Sequence, residues 1–157
     1  MELEEIRRAC SELMATAEIA YLTTLGLDGY PHTRAIFNLR NREAFPKQAA
    51  LHEPHTEDLV TYVATNTSSR KVREIEADPR VDLYYCAPSS FHGLRLVGDA
   101  EIVEDPAIKE GLWGGGWKQY YPSGRPDDPD YTVFRIRPHL ASGWYASSRF
   151  EFPLGAG

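Results

Sequence analysis

Apolar positions recur with two periods along the chain, a helical one at the N-terminus and a strand-like one over much of the remainder. Leu3, Ile6, Cys10, Leu13 and Met14 fall on one helical stripe, with Glu2, Glu4 and Glu5 in the first turn, where the positive end of a helix dipole favours acid. Residues 2–15 are therefore expected to form an amphipathic helix. Residues 18–25 and 32–39 read as strands joined across Asp28-Gly29, a hairpin signal. Alternation along the second puts His32, Arg34, Ile36 and Asn38 on one face and Thr33, Ala35, Phe37 and Leu39 on the other. Residues 61–65 are mostly β-branched or aromatic, which suits a half-buried strand. Asn66, Thr67, Ser68 and Ser69 then offer short polar side chains where a helix begins, and that helix has Val72 and Ile75 on its apolar face and stops at Asp78-Pro79.

Residues 80–86 form a near-continuously apolar strand interrupted by Asp82. Residues 94–103 form the next, in which Gly98 marks a bulge or a close backbone approach. Asp105-Pro106 opens a short helix through Trp113, and three glycines end it. Strands at 131–137 and 140–146 complete the series. These elements suit a closed antiparallel barrel with peripheral helices, a mainly β fold of the α+β kind. Residues 41–58 are the least regular stretch and read as an insertion loop. His52 and His55 lie there beside Glu53, Glu57 and Asp58, but their spacing matches no standard zinc motif, so a mobile polar loop is expected and no metal.

The 157 residues, 42% of them hydrophobic and 25% charged, are enough for one domain with a real core. No apolar run approaches a membrane span, and the charged N-terminus is unlike a signal peptide. Two cysteines, Cys10 and Cys86, are too few for a disulfide framework and suit a reduced, cytoplasmic setting, with Cys10 on the helix stripe as a small buried hydrophobe. A net charge of -6 disfavours a nucleic acid or an anionic membrane as the main partner, but allows one small anion in a local basic pocket.

Such a pocket is visible around Ser69, Arg70 and Lys71. Cations in the first turn oppose the helix dipole, so their placement there asks for a reason; with free N–H groups they make a socket for phosphate, against the plainer reading of a solvated turn. Arg34, within a strand, likewise needs solvent, a partner or a ligand.

The Thr-Asn, Ser-Arg-Lys and Asp-Pro order over residues 65–83 resembles the flavin-phosphate segment of the pyridoxamine 5′-phosphate oxidase-like split barrels. The likeness spans residues 20–144, and residues 108–145, with their aromatic run before Asp127-Asp128-Pro129-Asp130, are similar to the general stress protein branch. The resemblance implies a six- or seven-stranded antiparallel split β-barrel that binds FMN and forms a homodimer, each flavin lying between two protomers. It implies phosphate contacts from Arg34, Ser69, Arg70 and Lys71, and ring or ribitol contacts from Ala35, Ile36, Phe37, Ala64 and Thr65. Trp144, Trp117 and Lys118 complete the implied site. Three departures stand out. Leu39 replaces a lysine of the oxidases, Gly93 stands near the place of a flavin-edge glutamine, and the Arg-Leu-His-Asp-type substrate tail is replaced by SSRFEFPLGAG, in which Arg149 is not at the family arginine's position. An FMN-dependent oxidoreductase acting on an unidentified small-molecule donor or substrate is therefore expected, and not a pyridoxamine phosphate oxidase. A non-catalytic flavin carrier or stress sensor, and a haem- or deazaflavin-binding relative, are the alternatives, although His32 and His139 form no pair placed for haem. No side chain stands out as an obligatory acid or base.

Overall fold

The computed structural model describes residues 1–155. Helix α1 (Leu3–Thr16) leads into the hairpin of β1 (Ile19–Leu25) and β2 (Pro31–Phe37), whose turn places Gly29 at φ 84°. After α2 (Pro46–Ala50) come β3 (Thr61–Asn66), α3 (Arg70–Ala77), β4 (Arg80–Ala87) and β5 (His92–Ile102). Helix α4 (Pro106–Leu112), capped by Asp105, precedes a 3-10 turn at Gly115–Gln119, then β6 (Tyr131–Tyr145) and β7 (Ser148–Pro153). The seven strands form one antiparallel sheet in the order β2-β1-β4-β5-β6-β3, with β7 on β6. This is the expected mainly β, split-barrel architecture. No helix among the described residues is long and apolar enough to cross a membrane.

Alternation decides what the sheet encloses. Ala20, Leu22, Val81, Leu83, Tyr85, Leu94, Leu96, Phe134 and Ile136 point into one core, which α1 closes with Cys10, Leu13 and Met14. Burial pushes the Cys10 thiol up to about 12, so it behaves as the small hydrophobe anticipated. The opposite faces of β3 and β6 feed a second cluster, where Tyr62, Tyr131 and Val133 meet Leu39, Leu112, Trp117 and Tyr121.

Several expectations need correction. The stretches 131–137 and 140–146 are one strand. The register steps from Val97↔Leu140 to Gly98↔Pro138, so His139 is the extra residue of a bulge that carries β6 past its proline. Gly98 is needed there because a Cβ would strike the Arg137 carbonyl and the Pro138 Cα. The seventh strand is instead Ser148–Pro153, which buries Phe150 and Phe152. Strand β2 ends at Phe37, two residues early, because Asn38 turns inward and donates to the Met14 and Ala17 carbonyls at 2.8 Å each. Strand β4 buries alternate residues rather than nearly all: Asp82 on its outer face pairs with Arg95 of β5, beside exposed Tyr84.

Residues 41–58 are not a loose loop. Helix α2 and a 3-10 turn at Glu53–His55 lie in this stretch. Buried Arg40 anchors it, donating from Nε to Thr61 Oγ1 (3.1 Å) and from Nη2 to the His55 and Val60 carbonyls (3.0 and 2.5 Å). His52 is buried with both ring nitrogens engaged: Nδ1 lies 3.0 Å from the Gln48 carbonyl, and Nε2 accepts from the Tyr62 N–H at 3.1 Å.

Candidate flavin cleft

The two edges of the sheet, β2 and β3, come into contact without pairing, and this gap is the split in the barrel. An edge strand keeps a row of backbone N–H and C=O groups unused by the ladder. Here two such rows border a cleft of about 310 Å³, at the lower end of small-molecule sites. Ala35, Ile36 and Phe37 line it from β2, Ala64, Thr65 and Asn66 from β3, and Ile19 from β1. Trp117, Tyr120 and Tyr121 close it from the segment after α4. Phe45 braces this wall, with its ring centroid 5.7 Å from Phe37 and 6.5 Å from Trp117. A cavity of similar size beside α1 has a different character, mixing Arg7, Arg8, Glu4, Glu12 and Glu57 around Phe152.

The cation of the cleft is Lys71. It is half-buried, and its ammonium donates to Ser69 Oγ at 3.0 Å with no carboxylate in ion-pair range among the described residues. Burial, and then the charge of Arg34, lower its pKa from the usual lysine value. Ser69 occupies the N-cap position of α3, yet its side chain forms no capping bond; the Val72 N–H donates to the Ser69 carbonyl at 3.2 Å, and the Arg70 and Lys71 N–H groups have no partner among the described residues. The turn before it is held from the other side. Asp130 accepts from Asn66 Nδ2 (2.8 Å) and the Ser68 N–H (2.9 Å), bonds that keep its carboxyl below the usual range.

Arg34 is drawn against the sheet. Nη1 donates to Thr24 Oγ1 at 2.7 Å and the His32 carbonyl at 3.0 Å, and Nη2 meets Glu74 Oε1 at 3.0 Å. Of the residues expected at the site, Ala35, Ile36, Phe37, Ala64, Thr65, Lys71 and Trp117 line the cleft, with Ser69 bonded to Lys71 and Arg34 near enough to perturb it. Arg70 and Lys118 are exposed and outside the lining. Trp144 is 51% exposed at the far end of β6, beside Gly93 and under the Arg149 guanidinium. At Gly93 itself a Cβ would meet the hydroxyl end of the exposed Tyr84 side chain, which would have to swing aside. Trp117 both walls the cleft and packs edge-on to Trp113 and Tyr131. Glu74, Asn66, Tyr120 and Tyr121 were not anticipated. Glu74 left a trace in the sequence, a charge beside Ile75 on the face of α3 shared with Lys71 three residues earlier.

Over residues 6–145 the chain matches the pyridoxamine 5′-phosphate oxidase family. It is similar to a Clostridium acetobutylicum protein related to general stress protein 26, with 30% identity, coverage of 96% of this chain and 95% of that one, and a TM-score of 0.74. General stress protein 26 of Bacillus anthracis is 23% identical, with 96% and 99% covered and a TM-score of 0.71. A pyridoxamine 5′-phosphate oxidase-related FMN-binding protein of Nostoc punctiforme is 15% identical, with 98% and 93% covered and a TM-score of 0.67. At these identities the last two share the fold alone. No curated protein matches. Because the family match runs from within α1 to the end of β6, this chain belongs to the pyridoxamine 5′-phosphate oxidase family.

Proposed function

We propose that the chain is an FMN-dependent oxidoreductase of general stress protein type, with the flavin held in the cleft between β2 and β3. Lys71 carries this reading: a half-buried cation without a carboxylate partner, in a cleft with largely apolar walls, is a binding site for a ligand with a flat apolar body and an anionic tail. FMN fits on each count. The side chains of Ala35, Ile36, Phe37 and Ala64 suit the faces of a ring, the unused edges of β2 and β3 suit its polar rim, and Lys71 with the start of α3 suits the phosphate. When bound, the flavin supplies hydride or electron transfer, and the protein supplies binding, orientation and exclusion of water. Trp117 and Tyr121 would do the last of these.

The reading includes a homodimer. Trp144 is exposed and remote from the cleft of its own chain, as fits a residue that completes the site of a second copy. It excludes pyridoxamine 5′-phosphate as the substrate, because Ser148–Pro153 serves as strand β7 and turns Phe150 and Phe152 into the core rather than offering a phosphate clamp.

Titration of flavin-free protein with FMN and riboflavin, followed by flavin absorbance and fluorescence, tests the proposal. At least about a tenfold preference for FMN is expected, from one charge-assisted contact to the phosphate. Equal affinities, or no binding, would refute it. Stopped-flow reduction of the bound flavin by a nicotinamide donor separates the enzyme, which should be reduced, from a carrier.

A further inference from the structure

A cavity of about 450 Å³ lies between α1 and the stretch that follows β2, and it shares no lining residue with the flavin cleft. Its charged groups are Arg40, Arg42, Glu12 and Glu53. Arg42 and Glu12 are exposed and neutralise each other, with Nη1 donating to Oε2 at 3.0 Å. His52 also lines the cavity, but burial pushes it down to about 3, so it adds no charge near neutral pH.

Arg40 is the group left unbalanced. It is only 6% exposed, and three of the five N–H donors of its guanidinium are spent on Thr61, His55 and Val60. The other two belong to Nη1, which makes no hydrogen bond among the described residues and is not sealed off from solvent. Asp58 is the carboxylate whose charge reaches Arg40, but it is already engaged: His55 Nδ1 lies 3.1 and 3.2 Å from its oxygens, and the Val60 N–H donates to Oδ1 at 3.0 Å. A cation this deeply buried, with no carboxylate in ion-pair range among the described residues, leaves free donors where an acceptor anion belongs.

We propose that this cavity binds a small monocarboxylate, held by the free Nη1 donors of Arg40. The site does not depend on the flavin reading. Charge-assisted bonds from a guanidinium to a carboxylate are among the stronger polar contacts, and here the fork is already fixed by its other three bonds. Ala15, Pro46, Ala49 and Ala50 offer a wall for the apolar body of the ligand. Glu53, exposed and without an ion-pair partner among the described residues, opposes a second negative charge and so disfavours a phosphate dianion.

Calorimetric titration of the full chain with benzoate, benzyl alcohol and inorganic phosphate tests the proposal. Benzoate should bind at least about tenfold more tightly than benzyl alcohol, its uncharged counterpart of similar size, and more tightly than phosphate. Ala15→Leu and Ala49→Leu, which fill the cavity from α1 and α2, should each weaken benzoate at least about tenfold. A thermal melt checks the fold of each variant. In ¹⁵N-labelled wild type, which needs no substitution, benzoate should shift the guanidinium signals of Arg40 and leave those of exposed Arg70 in place. Benzoate no tighter than benzyl alcohol, or Arg40 signals that do not move, would overturn the proposal. So would benzoate affinity unchanged in both folded variants, as binding at Lys71 would give.

Discussion

Replacing Lys71 by alanine removes a half-buried ammonium from the cleft, whereas replacing its neighbour Arg70 removes an exposed guanidinium outside it. A solvated charged turn would treat the two alike. A hydrogen bond to a charged group contributes about 1.5–3 kcal/mol, and the partial burial of Lys71 places its contact with a phosphate in the lower part of that range. At 1.4 kcal/mol per factor of ten, Lys71→Ala should weaken FMN by about 10- to 50-fold. Arg70→Ala should weaken it by no more than about fivefold, as exposed pairs do. Riboflavin affinity should change by less than about twofold in either variant, because neither side chain touches the neutral part of the ligand in this account. Fluorescence titration of both ligands at fixed ionic strength, with a thermal melt to confirm the fold, measures all four effects. Equal losses for the two variants, or a loss of riboflavin equal to that of FMN in Lys71→Ala, would refute the reasoning.

Three further outcomes follow from the frame around the cleft. Burial, then the nearby Arg40 charge, push His52 down to about 3 from 6.5, so the unfolded chain takes up its proton first and stability is lost as pH falls from 6.5 towards 3. The slope approaches about 1.4 kcal/mol per pH unit, and urea unfolding from neutral to mildly acidic pH should show it flattened in His52→Gln. Gly98→Val drives a side chain into the Arg137 carbonyl and Pro138 Cα, backbone atoms that cannot swing aside, and should cost about 3 kcal/mol in chemical denaturation. Arg40→Met removes the bonds to Thr61, His55 and Val60, and should cost roughly 3 kcal/mol and open residues 41–58 to limited proteolysis.

Much of this was legible because it is written in local pattern. The hairpin at Asp28-Gly29, the α3 stop at Asp78-Pro79 and the Gly98 bulge each depend on a few adjacent residues, and each stands where the sequence puts it. What escaped depends on partners far along the chain. Asn38 leaves its strand to satisfy carbonyls at the end of α1, more than twenty residues earlier. The order in residues 41–58 comes from buried Arg40, and a polar, proline-containing sequence gives no sign of such an anchor. The same holds at the site. Lys71 and the β2 wall were expected from the family resemblance and its motifs, whereas Glu74 joins the site only when α3 folds against β1 and β2. The division of labour between Arg70 and Lys71 is likewise a matter of burial, which adjacency in sequence does not reveal. Trp144 marks the remaining distance, because its own chain does not bring it to the cleft.

The central claim is that the gap between β2 and β3 holds the flavin with its phosphate at the start of α3. A crystal structure of the protein grown with FMN tests it most directly. The account predicts the ring between Ile36 and Ala64 and a phosphate oxygen within hydrogen-bonding distance, about 2.7–3.2 Å, of Lys71 Nζ. A flavin seated elsewhere, or one in this cleft with its phosphate pointing away from Lys71 into solvent, would contradict it.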